Sequence, residues 1–417
     1  MSSPANPVNG TPLDLRRWRS LPTLALVVGG LFTLIGYLVG GDKAHEITAH
    51  RQFAFSLLTV FAFYTSLVVG SLFLVIAHHL FDAAWSVPTR RICESMAVQS
   101  RWLVPIWVVI WLYSGNIYKW MELDPHADAL LHAKSWLFSG FMWPVASLIV
   151  LGIWIYFSHR LRFWSLRQDE TGAAECTYRM RMLSYLGVVF AIAIGTTFGA
   201  ILWYKGIFHQ WFSTMYGVWY FAGSVWLTLA TVYTVTAALK ATGSPLKEVA
   251  TEKTFYFLGS LLFAFTVFYA YVTFSQYFII WNANVPEETF WYILREQGSW
   301  FQLSLVIIFG HFFLPFLALL RIDVKLKPAF IIPLAAWAWL MHYLDMHFNI
   351  MPGLHESGFR LAFVDIGLFL LVGGWLTKQF LATLHSAPLY PQRDPRIAEA
   401  MDAYVEPAAT AAPGGAK

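Results

Sequence analysis

The chain has 417 residues, 58% of them hydrophobic, 18% aromatic and only 12% charged, about half the charge of an average soluble domain. Its uncharged runs are too long and apolar for a globular core, which excludes soluble enzyme folds. A net charge of +4 is too small a surplus to suggest nucleic-acid binding, and two cysteines without a C-x-x-C-H exclude a four-thiolate iron–sulfur cluster or covalent haem on this chain.

Stretches free of Asp, Glu, Lys and Arg run from Ser20 to Gly41, Gln52 to Phe81, Trp102 to Tyr118, Ser135 to His159 and Met182 to Tyr204. They continue from Gly206 to Leu239, Thr254 to Pro286, Gln297 to Leu320 and Pro328 to Leu344, and a tenth span, Leu361 to Leu384, carries Asp365. Each is long enough to cross the hydrocarbon as a helix. The expected fold is an all-α integral membrane protein with one ten-helix domain over residues 20–384. An N-terminal tail, 1–19, and a C-terminal tail, 385–417, flank it. The first span follows Arg16, Arg17 and Arg19 but exceeds a signal-peptide core and lacks a clear cleavage site, so it reads as a retained anchor. The Ala/Pro/Gly-rich stretch after Glu406 reads as disordered.

Counting loops alternately puts 21 of the 28 Lys and Arg residues on the side of the termini and 7 on the other. The positive-inside rule therefore predicts both termini in the cytoplasm. Cys93 and Cys176 then fall in cytoplasmic loops, where thiols stay reduced.

An ionisable group at membrane depth needs a partner, water or a function, because burying it costs about 2.5–3.5 kcal/mol even on lenient scales. His78, His79 and Asp82 share the cytoplasmic end of the second helix, as either a polar helix end beside Arg90 and Arg91 or a proton-entry cluster. His311 lies about fifteen residues, or about 22 Å, into the eighth helix, with Pro315 following. It is either a neutral imidazole bonded to a carbonyl freed by that proline or a mid-membrane relay placed in the inner half. His342 and Asp345 share a face of the ninth helix toward its outer end, and Asp365 enters the tenth at comparable depth. That trio reads as a structural ion pair or a proton-passing pair near neutral pH.

The outer segment from Glu122 to Lys134 holds a second cluster in which His132, just before the fourth span, is placed to reach membrane depth. Tyr271 and Gln276 add hydrogen-bonding groups near the outer end of the seventh helix, and with His132 they are the candidates for a quinone head group. No metal-ligand set stands out. A cytochrome b bundle needs facing histidine pairs, and the histidines here are placed at different depths.

Several strings together resemble one family: Ala83-Ala-Trp-Ser-Val-Pro-Thr-Arg-Arg91, Lys134-Ser-Trp, Trp164-Ser-Leu-Arg-Gln-Asp-Glu-Thr-Gly172, Phe212-Ser-Thr-Met-Tyr-Gly-Val-Trp-Tyr-Phe-Ala-Gly223, Phe274-Ser-Gln-Tyr-Phe-Ile-Ile-Trp281, Pro286-Glu-Glu-Thr289, Gly310-His-Phe-Phe-Leu-Pro315 and Asp394-Pro-Arg396. Spread from Ala83 to Arg396, they resemble the second NrfD-like membrane subunit (the F subunit) of alternative complex III, a bacterial quinol:cytochrome c oxidoreductase. Before the fourth helix the family's His-Lys-Ser is interrupted here by Ala133.

The resemblance implies the polysulfide-reductase membrane-subunit fold, with helices two to five and six to nine as two four-helix bundles and helices one and ten peripheral. It implies a bacterial inner (cytoplasmic) membrane. The implied partners are a sister NrfD-like subunit, a periplasmic iron–sulfur subunit, c-type cytochromes and a terminal oxidase as acceptor. Haem c and iron–sulfur clusters would reside in those partners, and a quinone or quinol site on this chain is left open. The alternative function is an ion- or proton-coupled secondary transporter using His311 and the His342/Asp345 pair.

Overall fold

The computed structural model describes residues 16–39, 41 and 47–401. The tail before Arg16, Lys43 and the Ala/Pro/Gly stretch after Glu406 lie outside the described residues. Ten helices long and apolar enough to cross a membrane follow in order: α1 (Ser20–Val39), α2 (Ala49–Leu80), α3 (Ala84–Leu112), α4 (Met142–Thr171), α5 (Ala174–Phe208), α6 (Tyr216–Ala241), α7 (Glu252–Ala283), α8 (Gly298–Leu319), α9 (Pro328–Gly353) and α10 (Phe363–His385). No strand forms among the described residues, and the chain is an all-α, multi-pass integral membrane protein. Because the spans alternate in direction, the face holding the start of α1 and the end of α10 is called proximal and the opposite face distal.

Local chemistry sets the helix ends. Thr48 caps α2 by accepting the Arg51 N–H at 3.2 Å. Gly172 ends α4 at φ +66°, a left-handed conformation that suits a residue without a side chain.

α2 and α6 form the spine, with 83% and 78% of their apolar windows buried, so neither has a lipid-facing side of any size. α2 packs with α3, α4 and α5 as one four-helix bundle, and α6 packs with α7 and α9, with α8 closing the second. The bundles meet where α2 lies against α6. Gly70 makes that seam close, since a Cβ there would lie 2.3 Å from Thr228 Oγ1 and 2.5 Å from the Ser224 carbonyl oxygen. Outside the bundles α1 pairs with α10. Gly29 and Gly367 bring those two backbones together, the small-residue contact expected where lipid supplies no hydrophobic drive.

The boundaries differ from those set by charge-free runs. α3 begins at Ala84 rather than Trp102 and α9 runs on to Gly353 rather than stopping at Leu344. The reason is pairing: Arg90, Arg91 and Glu94 lie inside α3, and Asp345 and His347 inside α9, all buried. A run that ends at the first charge cuts such helices short. Cys93 and Cys176 are likewise buried in helices and free, not in loops.

The segment after α10 is not a simple tail either. Tyr390, Asp394 and Ala400 are buried, Gln392 donates its N–H to Asp169 at 2.9 Å, and Arg393 donates to the Glu170 carbonyl at 2.8 Å. Residues 386–401 thus form a strap across the proximal ends of α2, α3 and α4.

The seam gives a direct test. Gly70→Ala should lower stability by about 1–3 kcal/mol, the range for overpacking, in a detergent unfolding titration. Gly152→Ala, where a Cβ meets nothing within 4 Å, should leave it unchanged. Equal stability of both variants would refute the close α2–α6 contact.

Candidate functional site

Three buried polar clusters lie along the molecule, at its centre and toward each face. The central one joins helices that sequence had set at different depths. His311 on α8 and His342 on α9 have ring centroids 6.3 Å apart, and donor atoms of His311, His342 and Asp345 lie within 4.8 Å of one another. His342 sits near the middle of α9 because that helix continues to Gly353. The converging trio is therefore His311, His342 and Asp345, and Asp365 belongs elsewhere.

α8 opens into a π-helical turn over Ile308–Phe313, with His311 within it. Single-turn π segments are often found at functional sites. Trp337 Nε1 donates to the Gly310 carbonyl at 2.8 Å. The His311 ring is not bonded to a carbonyl freed by Pro315, because neither ring nitrogen has a hydrogen-bond partner. Instead the imidazole is sandwiched between Trp226 and Tyr269, each with its ring centroid 3.9 Å away. Two aromatic faces favour a positive charge on the ring between them.

His342 bonds through Nε2 to Ser66 Oγ of α2 at 2.9 Å, while its Nδ1 has no partner. Gly223 leaves room for that ring, since a Cβ there would lie 3.1 Å from His342 Cε1. Asp345 accepts the Tyr269 hydroxyl at 2.7 Å on one oxygen and Asn349 Nδ2 at 3.2 Å on the other. All three members are buried. Buried imidazole nitrogens without partners cost about 1–3 kcal/mol each, so this site holds polar capacity that packing alone does not explain. Two imidazoles and a carboxylate are also a donor set a transition metal accepts, although both Asp345 oxygens are already engaged.

The distal cluster gathers around Asp365. One carboxylate oxygen accepts the Ser56 hydroxyl and the other the Ala362 N–H at 2.7 Å. His347 Nε2 lies 4.0 Å from Asp365. Ser56 receives Gln52 Nε2 at 3.1 Å, and Gln52 bonds to His355 at 2.7 Å. Sequence reasoning found Asp365 and missed His347, His355 and Gln52. The one usable signal was for His347, a histidine two residues after Asp345 and therefore on a different face of the same helix.

At the proximal end His78 faces inward and Asp82 outward. Arg90 pairs with Asp394, and its guanidinium donates to His78 Nε2 at 2.9 Å. His78 Nδ1 meets Ser86 Oγ at 2.6 Å. Arg91 pairs with Glu94 at 2.8 Å and with Asp169. His79 is buried with neither ring nitrogen partnered. Asp82 lies past the helix end at φ +50° and is half exposed, bound to Arg181 at 2.6 Å and Arg396 at 3.0 Å. The acid beside His78 is thus Asp394, 304 residues from Arg90 in sequence. Burial alone would raise the Asp394 pKa, but the His78 imidazole and the Arg90 charge hold it well below the usual carboxylate range.

A cavity of about 300 Å³ opens near His78, lined chiefly by apolar side chains of α2, α3 and α7 such as Phe73, Trp85 and Phe265. Its polar neighbours already satisfy one another, Ser86 through His78 and the Ala83 carbonyl, and Thr89 through the Ser86 carbonyl.

The three quinone candidates do not converge. Tyr271 is 63% exposed, and Gln276 is engaged with Ser213 at 2.8 Å and Tyr292 at 3.0 Å. His132 is exposed on the short helix before α4, its ring 5.3 Å from that of His126. The buried histidine of that cluster is His209, bonded at 2.8 Å to Asp128, which also caps the short helix Ala129–Lys134. The His209 hydrogen bond holds the Asp128 carboxyl below its ordinary value.

No known family model matches the chain, and no curated protein matches it.

The strap yields a pH prediction. A depressed carboxylate contributes stability that is complete above its unfolded value, about 3.9, and is lost only as pH falls toward the folded value. Amide exchange of residues 386–401 should stay slow down to about pH 4. Asp394→Asn should make it fast at neutral pH, and slow exchange in that variant would show that the ion pairs do not hold the strap.

Proposed function

We propose that this chain is a membrane subunit of a bacterial respiratory quinol:cytochrome c oxidoreductase of the alternative complex III type. It scaffolds quinol oxidation and conducts protons across the cytoplasmic membrane, with both termini in the cytoplasm. The observation that carries this reading is the set of buried titratable groups from one face to the other: His78 and His79 near the proximal face, His311, His342 and Asp345 at the centre, and His347 and Asp365 toward the distal face. Groups so buried are rarely retained in a bilayer without a function. The sequence strings that resemble those of the family support the assignment to a complex.

In this reading protons enter beside His78, reach the central cluster and leave past Asp365. The partner-free nitrogens of His311 and His342 are the atoms able to take up a proton, and the Trp226 and Tyr269 faces stabilise an imidazolium at His311. Asp345 supplies a carboxylate that Tyr269 and Asn349 hold in place. Haem c and iron–sulfur clusters belong to the partner subunits: a sister NrfD-like subunit, a periplasmic iron–sulfur protein and c-type cytochromes that pass electrons toward a terminal oxidase. Any quinol site on this chain lies toward the distal face, close to those carriers. The Ser86 and Thr89 hydroxyls of the cavity beside His78 are engaged within the protein and are not free to bond a quinone oxygen.

Mass spectrometry of the gently solubilised native complex should find this chain with haem- and iron–sulfur-bearing subunits. A chain that purifies and works alone would favour a secondary transporter instead. Within the assembled complex, Asp345→Asn and His311→Ala should each lower proton translocation or turnover by at least about tenfold with haem content unchanged. Wild-type rates in both variants would make these residues structural. Density for a quinone ring beside His78 would overturn the distal placement of quinol.

A further inference from the structure

Among the described residues Arg162, Lys205, Lys325 and Arg295 are buried cations with no carboxylate at ion-pair distance, and Arg295 is the most deeply buried of them. It follows the short helix Pro286–Ile293 on the distal side and is 1% exposed. No carboxylate lies within ion-pair distance among the described residues, whereas Arg90, Arg91 and Arg396 each have one. Its guanidinium lies 3.4 Å over the Trp291 ring, and its three nitrogens donate to three carbonyls: Trp291 at 2.8 Å, Phe348 at 3.1 Å and Asn349 at 2.8 Å. Phe348 and Asn349 are in the last turns of α9, where carbonyls lack helical partners and the helix carries partial negative charge.

A neutral donor could cap those carbonyls, so capping does not explain why the group is charged. Burying an unpaired guanidinium costs several kcal/mol that three carbonyls only partly offset. One hydrogen-bonded link from Arg295 to a carboxylate runs through Asn349. Asn349, whose carbonyl Arg295 binds, donates its side-chain amide to the Asp345 carboxylate and to the Asp345 carbonyl, the latter at 2.8 Å. Arg295, Asn349 and Asp345 thus form a continuous hydrogen-bonded line from the distal loop to the central cluster.

We propose that Arg295 is the positioning residue for Asp345: through Asn349 it fixes the carboxylate toward Tyr269, and its charge favours the ionised form that can receive a proton from His311 or His342. The other groups facing Asp345 are Tyr216 on α6, Tyr269 on α7, His311 on α8 and His342 on α9. None is a fixed cation, and Arg295 is the permanent positive charge that Asn349 links to Asp345 by hydrogen bonds. The proposal rests on the reading of Asp345 as a proton-exchanging group.

The test is infrared difference spectroscopy of the full chain in nanodiscs, following the carboxyl stretch of protonated Asp345, assigned by its loss in Asp345→Asn. Arg295→Gln keeps amide donors for the carbonyls and removes the charge. Its Asp345 band should titrate about one to two pH units higher than wild type, while Arg295→Lys should titrate as wild type. An unmoved band in Arg295→Gln, or a shift in Arg295→Lys equal to that in Arg295→Gln, overturns the proposal. Should Arg295→Gln not fold, Asn349→Ala keeps the carbonyl that Arg295 binds and cuts the side-chain link: a shifted band supports the proposal and an unshifted one refutes it. No titrating Asp345 band between about pH 4 and 10 in wild type would sink the proton-exchange reading itself, an outcome separate from an insensitive band.

Discussion

Hydrocarbon offers no water to a polar atom, so every charge carried into this structure must bring its own solvation. Most do. Arg90 and Arg91 take Asp394, Glu94 and Asp169, Arg162 takes a hydroxyl and a carbonyl, and the Trp143, Trp154 and Trp300 indoles each find a backbone oxygen. Against that background imidazole nitrogens of His79, His311, His342 and His347 have no hydrogen-bond partner, with at least one such ring in each of the three clusters. The central cluster is distinguished by holding two of these rings side by side, His311 and His342 with centroids 6.3 Å apart.

The central cluster draws on both bundles. His342 belongs to α9 in the second bundle but bonds to Ser66 on α2 in the first, and Tyr220 on α6 donates to the Ala62 carbonyl of α2 at 2.7 Å. The α2–α6 seam that Gly70 brings so close is therefore also what sets the separation of His342 from its hydroxyl partner. Packing precision and polar geometry are one constraint here, since interiors at crystal-like density do not shift by a fraction of an ångström without moving their neighbours.

Sequence reasoning read the ten crossings and the all-α class well, because bilayer thickness imposes a length on apolar runs that no other solvent does. It misjudged helix ends where charges are paired inside: Arg90 in α3 looks like a loop residue until Asp394 is known, and Asp345 reads as near the outer end of α9 until that helix is seen to run on to Gly353. His311, His342 and Asp345 were legible singly, as ionisable letters in apolar text, but their meeting depends on the true length of α9. Asp365 was grouped with the wrong partners for the same reason. Arg295 and Asp394 were invisible, because a basic residue in a loop and an acid after the last helix carry no mark of burial. Only the fold-back of the strap and the end of α9 give them their surroundings.

The strap has a consequence for biosynthesis. Arg90 is made early, in the third span, while Asp394 emerges 304 residues later, after all ten spans have been synthesised. Until then the Arg90 guanidinium has Glu94 as its one carboxylate partner among the described residues. A chain released from the ribosome before Asp394 would have every membrane span and still lack the ion pair and the strap that cover Arg90 at the proximal face. The last few residues of the fold thus act as a certificate of completeness for the first bundle.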